Sequence, residues 1–162
     1  MQWPCPSIQH QGTKYLHHRR FSRGLGKFTP VEYTPAAEMA DEEYPFTLTT
    51  GRKLFHYHTG SMTRRVAALQ EVCPEGYLEI SQQDAQSIGI ASQEEVIVKS
   101  RRGEIRVKAL VSDKLAAGVV FLPFHFHESP ANALTNSATD PVAKIPELKV
   151  CAVKIERLAK GN

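Results

Sequence analysis

From Tyr44 onward, apolar residues come in six short runs separated by turn-forming residues: YPFTLTT (44–50), GYLEI (76–80), EEVIVKS (94–100), EIRVKALVS (104–112), GVVFLPF (118–124) and VCAVKIE (150–156). Runs of this length, rich in β-branched and aromatic residues, read as strands. The alternation is clearest in 104–112, where Ile105, Val107, Ala109 and Val111 fall on one face, as the two-residue period of a strand requires. SRRGE, Ser100 to Glu104, then reads as a hairpin turn with Gly103 free to take a positive φ. One stretch departs from this period. SQQDAQSIGI predicts a short helix over Gln82 to Ile88, with Ser81 as N-cap, Asp84 at the capping-box position and Gly89 as the closing glycine. The pattern predicts a mainly β barrel with short helices, and no internal repeat is visible.

Upstream of Tyr44 the periodicity is lost. Residues 1–43 are rich in turn-forming residues and read as an extended arm. Trp3, Tyr15, Phe21, Phe28, Val31 and Tyr33 are too frequent for a solvated linker, so the arm is expected to pack on a partner or preceding domain. The expected division is therefore an arm over 1–43 and a β-barrel over 44–162.

Composition narrows the class. A chain of 162 residues suits one core plus an arm. The longest apolar stretch, Gly118 to Phe124, is far short of the roughly 20 residues that span a bilayer, and the polar, Pro-broken start carries no signal-peptide core. No membrane span and a cytoplasmic location are expected. The net charge of +3 is mild, and its basic residues form doublets (Arg19-Arg20, Arg64-Arg65, Arg101-Arg102) instead of a stripe. That favours localised anion recognition over nucleic-acid binding. Cys5, Cys73 and Cys151 are widely spaced with no C-x-x-C pair, which argues against a disulfide framework, a four-cysteine metal site or an iron-sulfur cluster.

Candidate chemistry concentrates in two places. HYHTGSMTRR, His56 to Arg65, and HFHE, His125 to Glu128, each carry an H-x-H pair. On a strand, positions i and i+2 share a face, so each pair could offer two imidazoles to zinc, but a stable site needs three or four oriented ligands. The neighbours point elsewhere. Arg52, Thr59, Gly60, Ser61, Thr63 and Arg64 supply guanidinium forks, hydroxyl donors and close backbone approach, which suit a polyanionic, hydrogen-bond-rich ligand.

The string YPFTLTTGRKLFHYHTGSMTRR, followed by LEISQQDAQSIGI, SRRGEI and FHFHESPANALTNSATDPVAKIPELKVCAVKIE, resembles the C-terminal part of the catalytic (alpha) subunit of molybdenum or tungsten formate dehydrogenases, in the molybdopterin oxidoreductase family. QWPCP and GKFTPVEYTPAAEMADEEYPF extend the resemblance over essentially the whole chain. It implies a six-stranded double-psi β-barrel, similar to the aspartate-decarboxylase-like barrel, that binds and buries molybdopterin guanine dinucleotide (bis-MGD) with Mo or W. Carried over by position, Gly51, Arg52, His56, His58, Thr59 and Gly60 would contact pterin or pyrophosphate, with Thr63 and Arg64 as weaker candidates. His125, Asn132 and Thr135 match the later run, and Lys149 would add a cation. Glu128, Asp140 and Lys144 read as structural.

The family's cysteine or selenocysteine metal ligand and its assisting arginine have no counterpart here, so no catalytic residue and no protein metal ligand are expected in this chain. The isolated chain is expected to be inactive: an excised domain, a split-gene subunit or a remnant, whose partners are the remaining formate dehydrogenase domains or subunits. The other reading is a free-standing β-barrel that acts as an interaction module and takes a small ligand or zinc.

Overall fold

A computed structural model describes residues 5–158, so Trp3 lies outside the described residues. Contacts divide the chain into two units, Met1–Thr34 and Pro35–Asn162. Within the first, Phe21 and Gly24 exchange a pair of backbone hydrogen bonds, and Leu25, Phe28, Val31 and Tyr33 are each more than four-fifths exposed.

The second unit is a barrel of six strands: β1 (Phe46–Gly51), β2 (Tyr77–Ser81), β3 (Glu95–Lys99), β4 (Glu104–Ser112), β5 (Val119–Pro123) and β6 (Cys151–Arg157). Each lies in one of the six apolar runs or extends it by one residue. The barrel closes in the order β1-β5-β2-β4-β3-β6. β1 runs parallel to β5 and β2 parallel to β4, while the other four pairings are antiparallel. Alternate residues point inward, so Leu48, Leu78, Ile80, Val96, Val98, Val120, Leu122 and Val153 are wholly buried. Each such side chain contributes about 1.5–3 kcal/mol by leaving water.

Two helices join the strands, α1 (Ala67–Val72) and α2 (Gln82–Ile88). The sequence pattern predicts α2 and not α1. Ser81 Oγ accepts the Asp84 N–H at 3.1 Å, and Gly89 closes the helix at φ +70°. The capping box itself is not completed. Aspartate is one methylene shorter than the glutamate that reaches back, and the Asp84 carboxylate accepts instead from Ser81 Oγ (2.7 Å) and Gly118 N–H (2.8 Å), tying α2 to the entry of β5.

The Ser100–Glu104 turn forms as expected, with Ser100 N–H donating to Gly103 O at 2.9 Å. Gly103, however, is not among the residues with positive φ. Its missing Cβ serves close approach, since one there would lie 3.1 Å from Ala133 O. The turn's arginines face the 35–41 stretch. Glu38 accepts from Arg101 at 3.0 Å and from Arg102 at 2.8 Å, and Asp41 pairs with Arg101. Burial opposes ionisation of Glu38, but its hydrogen bonds to Arg102 and Arg101 outweigh this and hold its pKa below the ordinary value. This doublet therefore recognises carboxylates of its own chain.

Candidate functional site

Parallel pairing decides where the polar runs go. β1 and β5 lie side by side with Gly51 opposite Pro123, so both strands deliver their following loops to the same end of the barrel. The antiparallel β2 and β6 begin there, and the β3–β4 hairpin turns there. Thus 52–66, 124–137 and Lys149 crowd one end although they are far apart in sequence.

Neither H-x-H pair sits on a strand. In each, one histidine is buried and the other exposed: His56 and His125 are each 3% exposed, whereas His58 and His127 face outward. His125 Nε2 accepts the Lys53 N–H at 2.7 Å, and its Nδ1–H donates to the His58 carbonyl. It thereby staples the β5 loop to both sides of the β1 loop. Burial lowers its pKa, partly offset by the bond to His58, so the ring is held neutral. His56 Nε2–H donates to Cys73 O at 2.7 Å, and Nδ1 lies 3.1 Å from Thr63 Oγ1, which also accepts the Tyr57 N–H at 3.1 Å. Both rings of this buried pair have their nitrogens engaged within the protein, 5.9 Å apart between centroids. This opposes the zinc arrangement, in which the two histidines of a pair share one ion.

Arg64 is also engaged internally. Its guanidinium forks onto Glu128 at 2.7 and 3.0 Å, Nε donates to Gln70 Oε1 at 3.2 Å, and its carbon lies 5.0 Å from the Phe126 ring centre. The hydrogen bonds to Arg64 hold the Glu128 carboxyl below the usual range. Lys53, half-buried, pairs with Glu79 on β2. Lys149 Nζ donates to Thr50 O beside Gly51. Thr135 Oγ1 donates to Asn132 O at 3.1 Å.

What remains is a set of outward-facing donors. Arg52 reaches His58 Nδ1 at 3.2 Å and is otherwise exposed. His58 takes φ +49° and Gly60 φ +73°, left-handed conformations that turn the loop sharply and are held by the His125 staple. Thr59, Ser61, Arg65 and Asn132 are exposed, and their side chains make no hydrogen bond among the described residues. An open cleft of about 530 Å³ runs between the loops, lined by Thr59, Gly60, Ser61, Arg65, Gln70 and His127 among others. This donor set fits a phosphate-bearing heterocyclic cofactor.

Sequence reasoning named Ser61 among the hydroxyl donors but did not single out Arg65, whose exposed side chain faces outward. The signal was adjacency. In the tight 3-10 turn Thr63–Arg65, consecutive residues point in different directions, so one arginine of the doublet turns to Glu128 and the other to solvent.

Comparison with known proteins agrees with this geometry. The Molydopterin dinucleotide binding domain family matches residues 46–152, from β1 to the start of β6 with both loops between. The F420-dependent formate dehydrogenase subunit alpha of Methanocaldococcus jannaschii is 54% identical over 160 residues, covering 98% of this chain and 24% of that protein. The F420-dependent formate dehydrogenase 2 subunit alpha of Methanococcus maripaludis is 50% identical with the same coverage. This chain thus spans about a quarter of the length of these curated relatives. Among solved structures, acetylene hydratase from Pelobacter acetylenicus superposes with a TM-score of 0.65 at 17% identity, over 72% of this chain and 19% of that one, which shows the shared fold. With the family's match extending from the first barrel strand into the last, the chain belongs to the molydopterin dinucleotide-binding domain family.

Proposed function

We propose that this chain is the cofactor-covering part of a molybdenum or tungsten enzyme that oxidises formate to carbon dioxide, and that its loop end binds molybdopterin guanine dinucleotide. When bound, such a cofactor supplies the metal centre at which two electrons leave formate. The chain's own residues orient and bury it. Arg52 and Arg65 meet phosphate oxygens, Thr59, Ser61 and Asn132 hydrogen-bond to heterocycle edges, and Lys149 adds positive charge beside Gly51. His56, Thr63 and His125 shape the loops from behind, and Arg64 braces them through Glu128.

The observation that carries this reading is the division of polar side chains at the loop end, where buried ones are engaged internally while Thr59, Ser61 and Arg65 face outward around one cleft with no side-chain partner among the described residues. The pairing of β1 with β5 and β2 with β4 in parallel, among antiparallel neighbours, supports the double-psi arrangement. The exposed Leu25, Phe28, Val31 and Tyr33 support docking of the 1–43 arm on the rest of the enzyme.

The test is the chain joined to the rest of such a subunit. Guanosine monophosphate released by acid should track molybdenum or tungsten content, and both should fall together on Arg52→Ala with Arg65→Ala. Purified protein that holds neither guanine nucleotide nor pterin sinks the proposal.

A further inference from the structure

The two arginines of the Ser100–Glu104 turn have different targets. Arg101 reaches the 35–44 stretch, where it pairs with Glu38 and Asp41 and its guanidinium carbon lies 4.4 Å from the Tyr44 ring centre. Arg102 reaches further. Its fork meets Glu38 at 2.8 and 3.1 Å, and the same guanidinium donates to the Leu134 carbonyl through Nε at 3.0 Å and Nη2 at 2.7 Å. The turn that carries it is tied to itself: Ser100 is buried, its N–H donates to Gly103 O at 2.9 Å, and its Oγ accepts the Arg102 N–H at 3.2 Å. Beside it, Gly103 comes so close to Ala133 that a Cβ would lie 3.1 Å from the carbonyl oxygen. Two consecutive residues of the β3–β4 turn thus abut two consecutive carbonyls of the 131–134 segment.

We infer that Arg102 is a positioning residue for cofactor binding, one that holds the 131–134 segment in place so that Asn132 faces the ligand. The inference rests on the reading that Asn132 hydrogen-bonds to the cofactor. The segment is a single 3-10 turn, Ala131–Ala133, with backbone bonds from Ala133 N–H to Pro130 O at 2.9 Å and from Leu134 N–H to Ala131 O at 3.0 Å. So short a turn does not keep its shape in water by itself. It is fixed by the buried side chains of Ala131 and Leu134 and by the Arg102 grip on the Leu134 carbonyl. Between these points Asn132 is exposed, with no side-chain partner among the described residues. A planar guanidinium held between a carboxylate and a carbonyl fixes the direction of both bonds, which a lysine ammonium on its flexible stem does not.

A double-mutant cycle in the chain joined to the rest of such a subunit tests this, with cofactor loss followed as the guanosine monophosphate that acid releases from the protein left after timed dialysis. Asn132→Ala should speed the loss roughly five- to tenfold, as expected for one missing hydrogen bond, and Arg102→Ala should speed it about as much. Because the arginine acts through the asparagine, the double variant should lose cofactor no faster than Asn132→Ala alone. Effects that multiply overturn the inference, since a fold that is merely destabilised adds its loss to that of the missing contact. Arg101→Ala removes a guanidinium from the same turn and from Glu38 without touching Leu134, so it should leave the loss unchanged. Acceleration equal to that of Arg102→Ala overturns the inference as well. Should Arg102→Ala not fold, Arg102→Lys takes its place in the cycle, because it keeps a charge beside Glu38 and lacks the fork. In the 162-residue chain without cofactor, amide hydrogen exchange at Ala133 and Leu134 should quicken several-fold in the Arg102 variant and not in Arg101→Ala. Unchanged exchange shows that the segment needs no such hold and overturns the inference. Cofactor loss untouched by Asn132→Ala removes the functional reading of Asn132, whereas faster exchange in the Arg102 variant still establishes the hold on the segment.

Discussion

The two ends of the barrel use polar residues in opposite ways. At the end bearing α2, the buried and half-buried polar groups, and the exposed Ser92 with them, turn back on nearby structure, while Gln82, Gln83 and Gln86 on the helix surface face outward. Asp84 accepts from Ser81 and Gly118, Glu94 accepts from Ala91 N–H at 2.9 Å and from Arg157 at 3.1 Å, and Ser92 Oγ accepts the Val111 N–H at 3.3 Å. At the loop end the same accounting leaves a remainder. His56, Thr63, Arg64 and His125 are satisfied internally, whereas Thr59, Ser61, Arg65 and Asn132 are not. The outward polar groups of the first end are mainly glutamines on a helix surface, whereas those of the second include an arginine and two hydroxyls lining a cleft. Donors gathered around one cleft distinguish the loop end more sharply than the presence of histidine or arginine does.

The largest effect on stability is expected from neither end. Leu48→Ala, in the wholly buried centre of β1, should lower stability by about 2–5 kcal/mol through lost burial and the cavity left behind. Thermal or denaturant unfolding measures it, and cofactor content should fall only as the fold fails. A Leu48→Ala chain of normal stability would show that the barrel core does not hold the loop end together.

Next comes His125, whose loss distinguishes a staple from a ligand contact. Removing the ring in His125→Ala leaves the Lys53 N–H and the His58 carbonyl without their partner, an expected loss of about 1–3 kcal/mol. The sign of its pH dependence follows from its depressed pKa. The unfolded chain takes up a proton near pH 6.5 and the folded chain does not, so the contribution is full above about 6.5 and declines as pH falls toward the folded value. Melting temperature against pH should fall on the acid side for the unmodified chain and flatten in His125→Ala. An unchanged pH profile would remove the staple.

Asp84→Ala sharpens the contrast from the other end. It removes acceptors from Ser81 and Gly118 N–H and should lower stability by about 1–3 kcal/mol, with cofactor content per folded molecule unchanged. Cofactor loss without loss of fold would mean that the two ends are coupled.

The barrel was legible in the sequence because a strand's period writes itself into neighbouring residues, as in Ile105, Val107 and Ala109. The α2 helix was legible because Ser81 and Gly89 act locally at its ends. The roles at the loop end were less so. His56 and His58 belong to one motif, yet which ring is buried depends on Cys73 and on a strand pairing about seventy residues away that brings in His125. α1 left no trace in the pattern, because six residues are too few for a helical period to repeat. The resemblance pointed to segments that meet at the loop end but could not divide them into internally engaged and outward-facing side chains.

The smallest effect on stability separates two adjacent arginines. Arg64 is mostly buried, with a bidentate bond to Glu128, a bond to Gln70 and the Phe126 ring beneath it, so Arg64→Ala removes packing as well as charge. Glu128 is half exposed, which limits the ion pair's share, yet a measurable drop in melting temperature is expected. Arg65 is exposed and its side chain has no partner among the described residues, so Arg65→Ala should stay within about 0.5 kcal/mol of the unmodified chain. In the complete enzyme the ranking should differ. A charge-assisted hydrogen bond to phosphate is worth about 1.5–3 kcal/mol, so Arg65→Ala should weaken cofactor retention by roughly ten- to a hundredfold with no change in melting of the cofactor-free protein. If Arg65→Ala instead destabilises the cofactor-free protein as much as Arg64→Ala does, the division of the loop end into internal braces and outward donors is wrong.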